Sequence, residues 1–189
     1  ASPLSIPMVP GDSATIELQM PAGAKLTPGS LVLTDVGAGF RNAFVVAPRV
    51  GIPGNSAACN VNVACPLGQP YTDEQRANTY YEFRADDDGV TYVCTATLMS
   101  DVPADRKNYL LTAAHCLASQ TEAASMRMYW NYRSTTCGSN SGISFTQNQT
   151  GASLRATRAD ADFTLVELNQ NPDPSWNLFH AGWDASNVA

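Results

Sequence analysis

Leu110-Leu111-Thr112-Ala113-Ala114-His115-Cys116 is the stretch whose reading decides the fold. With Tyr109 it opens as a short apolar run of strand character, preceded by the polar residues Asp101 to Asn108, whose composition suits a connecting loop. Two alanines then deliver one histidine and one cysteine. An imidazole that serves as general base and then general acid has to sit on rigid backbone beside a cleft, and small neighbours permit that packing. His115 is therefore the first candidate for chemistry. A cysteine hydrolase using Cys116 beside it is the weaker option, because adjacent residues of a strand point to opposite faces.

Downstream, Asp160-Ala161-Asp162-Phe163-Thr164-Leu165-Val166-Glu167-Leu168 places an aspartate immediately before an apolar strand. A carboxylate at the mouth of such a strand can accept an imidazole Nδ1–H, which fixes the tautomer and stabilises an imidazolium. Asp162 follows His115 by 47 positions (162 − 115). Asp160 would point the same way only if the strand began sooner, and the apolar run starts at Phe163. Asp162 is the second candidate. Glu167, inside the run, reads as outward-facing.

Around these two motifs the chain reads as further strands. Val90 to Leu98 is rich in β-branched and aromatic residues. Met126 to Tyr132 alternates large apolar side chains with others, as a barrel wall would. Asp86-Asp87-Asp88-Gly89 lacks the further ligands of a calcium loop and reads as a solvated hairpin turn. Asp73 to Arg76 suits a short helical turn, and Asn148-Gln149-Thr150 matches a glycosylation sequon. In Gly138-Ser139-Asn140-Ser141-Gly142 the central residue is asparagine, so this is no nucleophile elbow. His180 reads as a packed or surface residue outside the site.

The 189 residues are enough for one domain with an appendage, and the net charge of −6 supplies no basic face for nucleic acid or anionic lipid. No apolar run approaches the length of a membrane span. Five cysteines, at 59, 65, 94, 116 and 137, form neither CxxC pairs nor a zinc-ligand pattern with histidine, so disulfides in an oxidising compartment fit, with one thiol left over. Metal ions and cofactors are not called for. The first 53 residues hold no cysteine and read as a small β segment, with strands at Thr15–Met20, Leu31–Val36 and Ala43–Val46. Gly51 to Ala58 reads as a linker.

Several of these strings resemble trypsin-like (chymotrypsin-fold) serine proteases: Thr112-Ala113-Ala114-His115-Cys116 and the Asp162 motif. Cys59-Asn60-Val61-Asn62-Val63-Ala64-Cys65-Pro66 and Tyr129-Trp130-Asn131-Tyr132 with Thr136-Cys137 resemble the bacterial, secreted lysyl-endopeptidase-like branch of that group. The resemblance implies a mainly β fold: the first antiparallel barrel of a two-barrel protease and, from Trp176 to Asp184, the start of the second. Residues 1–53 would be a pro-region-like segment and 54–189 the N-terminal part of the protease domain. His115 would be general base and acid, with Asp162 its orienting partner. The implied disulfides are Cys94–Cys116 and Cys65–Cys137, with Cys59 bonded to a cysteine outside this chain.

The family's serine nucleophile sits in a glycine-rich loop downstream of the aspartate, and nothing here matches it. The resemblance thus implies a secreted bacterial endopeptidase precursor acting on proteins or peptides, with the missing C-terminal half as partner and this fragment alone inactive. The alternative from another class is a non-catalytic protease homologue that keeps the histidine and aspartate and acts as a binding protein.

Overall fold

A computed structural model describes residues 6–9, 11–29, 31–38, 61–101, 107–139, 141–184 and 186. The chain divides into two compact units, one of Met8–Asn55 and one of Ala1–Pro7 with Ser56–Ala189.

The described residues of the smaller unit contain no helix and no strand, which corrects the expectation at Thr15–Met20 and Leu31–Val36. Ile16, Leu18, Leu31, Val32 and Leu33 all stand exposed. The alternation is present, but a strand also needs a neighbour to take its backbone N–H and C=O groups, and no described pairing provides one. One local turn is present: the Ala24 N–H donates to the Pro21 carbonyl at 3.0 Å. Gly23 sits inside that turn at φ +85°, where a side chain would be strained. The strand expected at Ala43–Val46 and the linker from Gly51 to Ala58 lie outside the described residues.

The larger unit is a sheet of seven antiparallel strands: β1 Asn78–Arg84, β2 Thr91–Met99, β3 Tyr109–Thr112, β4 Arg127–Trp130, β5 Asn148–Thr150, β6 Ala152–Arg158 and β7 Phe163–Leu168. Their order is β5-β4-β1-β2-β3-β7-β6. The two edge strands, β5 and β6, are separated in sequence by Gly151 alone. At φ +84° this glycine donates its N–H to Met126 O at 2.8 Å and accepts from Asn169 N–H at 3.2 Å. One residue therefore bonds to both sides and joins the edges, so the sheet curls as the first barrel of a chymotrypsin-like fold does.

The interior follows the pleat. In β7 the residues Thr164, Val166 and Leu168 are buried while Phe163, Leu165 and Glu167 are half-buried. Tyr81, Leu98, Leu110, Met128 and Trp130 fill the centre with Val166. All four residues of β4 are buried, so the expected one-sided alternation does not hold there. Its outer face is also covered: Phe145 meets Tyr129 edge-on at 5.0 Å, and Arg127 lies beside Glu82 at 3.7 Å. Burial raises the Glu82 carboxyl, opposed by the Tyr129 hydroxyl that donates to it at 2.8 Å and by Arg127.

Connections match the local chemistry. Asp88 closes the β1–β2 hairpin by accepting from Val90 N–H and from the Tyr92 hydroxyl, both at 2.8 Å. Thr72–Gln75 is a single helical turn. The helix Gln120–Ser125 starts in a capping box in which Ser119 and Glu122 satisfy each other's backbone N–H groups. Ser119 also donates to Asp86, tying this helix to the hairpin. The Asn148 amide nitrogen donates to Phe145 O at 2.8 Å, so the sequon's acceptor is already engaged. After a 3-10 turn at Pro174–Trp176 the chain runs beside the end of β2, with Ala181 bridging Met99. No helix among the described residues is long and apolar enough to cross a membrane.

Two disulfides join Cys65 to Cys137 and Cys94 to Cys116; Cys59 lies outside the described residues. The second ties β2 to the turn after β3 and closes a loop of 22 positions. Loop-closure entropy puts its contribution at about 3 kcal/mol. Replacing both Cys94 and Cys116 by serine is expected to lower unfolding free energy by that amount in urea titrations, and an unchanged midpoint would contradict the assignment.

Candidate active site

The strand β3 ends at Thr112, and the chain then turns tightly: the N–H groups of Cys116 and Leu117 both donate to Ala113 O at 3.2 Å. Two small residues, Ala113 and Ala114, occupy the crowded entry to this turn, and His115 sits at its crest. Three anchors hold the exit. Cys116 is bonded to Cys94, the Leu117 side chain is buried in the core, and Ala118 and Ser119 donate their N–H groups to Glu122 at 2.9 and 3.1 Å. Because the Cys116 sulfur is in a disulfide, it offers no thiolate.

Asp162 is presented differently. It caps the 3-10 turn Ala159–Ala161 in the left-handed conformation, φ 47° and ψ 43°, one residue before β7 begins. Aspartate tolerates that region better than most side chains. Asp160 faces away into a two-pronged pairing with Arg158 at 2.7 and 2.8 Å. The structure thus separates the two aspartates of the motif.

Antiparallel pairing brings the two candidates together. Thr112 is opposite Thr164, so the residues just beyond β3 and just before β7 emerge at the same end of the sheet. Asp162 Oδ2 lies 2.7 Å from His115 Nδ1, and Asp162 Oδ1 accepts the backbone N–H of His115 at 2.9 Å. The second bond was not foreseen from sequence, since only the turn geometry aims that N–H at the carboxylate. It fixes the carboxylate plane as well as its distance. With Nδ1–H donating to Asp162, Nε2 is the ring nitrogen left to exchange a proton. Both side chains are open, His115 at 72% and Asp162 at 51% relative exposure.

The Asp162 carboxyl is held below the usual carboxylate range, first by the His115 backbone N–H and then by the imidazole. It therefore stays ionised as an acceptor at neutral pH. His180 is remote from this pair in its bonding, with Nε2 2.9 Å from Asn108 Oδ1. A cavity of about 250 Å³ opens elsewhere, lined by Tyr80, Tyr132 and Arg133, and includes neither candidate. Among the described residues no group of three or more His, Cys, Asp or Glu side chains is placed to hold a metal ion.

Residues 53–189 match the family described as lysyl endopeptidase, C-terminal domain. The chain belongs to the lysyl endopeptidase family. Lysyl endopeptidase of Pseudomonas aeruginosa is 30% identical over 202 residues, a match that covers 97% of this chain and 40% of the relative. The chain therefore spans about two fifths of the length of that relative. Family membership makes this a domain of the trypsin-like serine-protease group, and the barrel, the histidine turn and the aspartate strand described above all lie within the matched residues.

A carboxyl with a depressed folded pKa stabilises the fold above its unfolded value, about 3.9, and that contribution disappears as pH falls through the lower folded value. In a ¹³C NMR titration the Asp162 carboxyl is expected to titrate below 3.9. In His115→Ala the midpoint should rise yet stay depressed, because the backbone donor remains. An Asp162 midpoint at the ordinary value in the native chain would refute the pair of hydrogen bonds.

Proposed function

We propose that this chain is part of the precursor of a secreted serine endopeptidase, in which His115 takes the proton of a serine hydroxyl and returns it to the departing amine. Asp162 holds the imidazole in the required tautomer and stabilises the imidazolium formed during attack. The serine, the amides that stabilise the tetrahedral oxyanion and the pocket for the substrate side chain belong to residues outside this chain. The single observation that carries this reading is the Nδ1–Oδ2 distance of 2.7 Å combined with the 2.9 Å backbone bond, at a turn that leaves the imidazole accessible.

The exposure of the pair fits the same reading. In water, ion-pair and hydrogen-bond energies are heavily screened, and covering the pair with the remaining part of the protease would strengthen them. Residues 1–53 are proposed to be a pro-region-like segment and 54–189 the N-terminal part of the protease domain. Secretion is supported by the two disulfides, which persist in oxidising compartments. The substrates are proteins or peptides. The matched relative's name specifies lysyl cleavage, and a peptide series varying the residue before the scissile bond tests whether that preference carries over.

In the protease containing the serine, Asp162→Asn is expected to lower kcat by about 10⁴-fold and His115→Ala by at least as much, with circular dichroism unchanged. Undiminished turnover in His115→Ala would overturn the assignment. The 189-residue chain incubated alone with the same peptides is expected to give no turnover. Hydrolysis by it, persisting through repurification, would show that the nucleophile lies within these residues.

A further inference from the structure

Thr164 is a hydroxyl residue among apolar neighbours in β7, and it is fully buried. Its Oγ1 donates to the Leu117 carbonyl at 2.6 Å and lies 2.8 Å from Thr157 Oγ1. A hydroxyl has one proton to give. With that of Thr164 directed to Leu117, Thr157 is the donor to Thr164. In the register Thr164 stands opposite Thr112 on β3 and Thr157 on β6, so three threonines cross the sheet in one row directly behind the candidate pair.

The positions matter more than the burial. Leu117 comes two residues after His115, and Thr164 two residues after Asp162. The bond between them therefore links the segment leaving the histidine to the strand leaving the aspartate. Leu117 lies beyond the end of β3, so its carbonyl has no ladder partner, and a buried carbonyl without a donor is costly. The entry to the turn is held separately. Thr112 Oγ1 donates to Thr95 O at 2.9 Å and accepts from the Tyr81 hydroxyl at 2.9 Å. A threonine hydroxyl thus bonds to each end of the histidine turn, and at the exit it is the one that reaches from the aspartate strand.

The pair itself makes this pinning consequential. Asp162 accepts from the backbone and the ring of the same residue, so a small slide of the turn along β7 disturbs both bonds at once. Catalytic geometry tolerates displacements of only a few tenths of an ångström, about 0.5 Å. Resting on the reading of His115 and Asp162 as the acid–base pair, we propose that Thr164 is a positioning residue. Its hydroxyl fixes the exit of the histidine turn to the aspartate strand, and so sets the His115–Asp162 distance.

Two substitutions separate the hydroxyl from the packing. Thr164→Val keeps the shape and removes the bond, whereas Thr164→Ser keeps the bond and loses a methyl. In the 189-residue chain, exchange of the His115 Nδ1–H with water, read by ¹⁵N NMR, is expected to speed about tenfold in Thr164→Val and to stay within about twofold of the native rate in Thr164→Ser. In the protease containing the serine, Thr164→Val should lower kcat about tenfold with KM within about twofold, and Thr164→Ser should restore it. Native exchange in Thr164→Val, or accelerated exchange in Thr164→Ser, would overturn the proposal. If Thr164→Val does not fold, Thr164→Ser and the native Thr164 hydroxyl proton decide. A fast-exchanging hydroxyl with no magnetisation transfer to Leu117 counts against the clamp, and a protected one with native Nδ1–H exchange in the serine variant supports it. Failure of the catalytic reading would be visible separately, as activity retained in His115→Ala, while the exchange measurement still reads the clamp.

Discussion

Everything in the candidate site depends on the pairing of β3 with β7. The register Tyr109↔Glu167 to Thr112↔Thr164 carries two segments 47 positions apart in sequence to the same end of one sheet. Neither His115 nor Asp162 belongs to that ladder, yet the ladder determines where each emerges. A slip of one residue would turn Val166 and Leu168 out of the core and move Asp162 to the opposite face. The apolar pattern of β7 thus guards the polar geometry at its mouth.

The neighbours of β3 explain how so short a strand is held in place. β3 has only four residues, but it is flanked by β2 and β7 and backed by a core that includes Leu110 and Leu117. Gly151 makes the curl possible: a left-handed residue between β5 and β6 bends the chain so that consecutive strands serve opposite edges. The Cys94–Cys116 bridge then holds the histidine turn to β2 covalently. Covalent, apolar and hydrogen-bonded restraints converge on a turn of a few residues, which is what the role proposed for His115 requires.

The chemistry within reach of this chain is correspondingly narrow. It supplies an imidazole oriented by a carboxylate at the end of a curled sheet, with the ring open to solvent. A nucleophile, an oxyanion site and a substrate pocket are separate parts, and in the proposed protease they come from elsewhere in the polypeptide. The Asp162 carboxyl is depressed by the two N–H groups of His115, and the imidazole side chain is exposed.

Local chemistry in the sequence determined most of the elements. The strands at Tyr109–Thr112 and Phe163–Leu168 and the hairpin at Asp86–Gly89 all follow from short-range patterns, because periodicity and turn residues act over a few positions. The capping box at Ser119 and Glu122 is equally legible as Ser-x-x-Glu. Other features answer to tertiary structure alone. Thr15–Met20 has the alternation of a strand and is not one, since pairing needs a partner that alternation cannot supply. The burial of both faces of β4 depends on Glu82, Tyr80 and Phe145 arriving from distant segments. Most of all, the second Asp162 bond and the reach of Thr164 to Leu117 are set by how two strands align in space, and residue type by itself carries no record of that alignment.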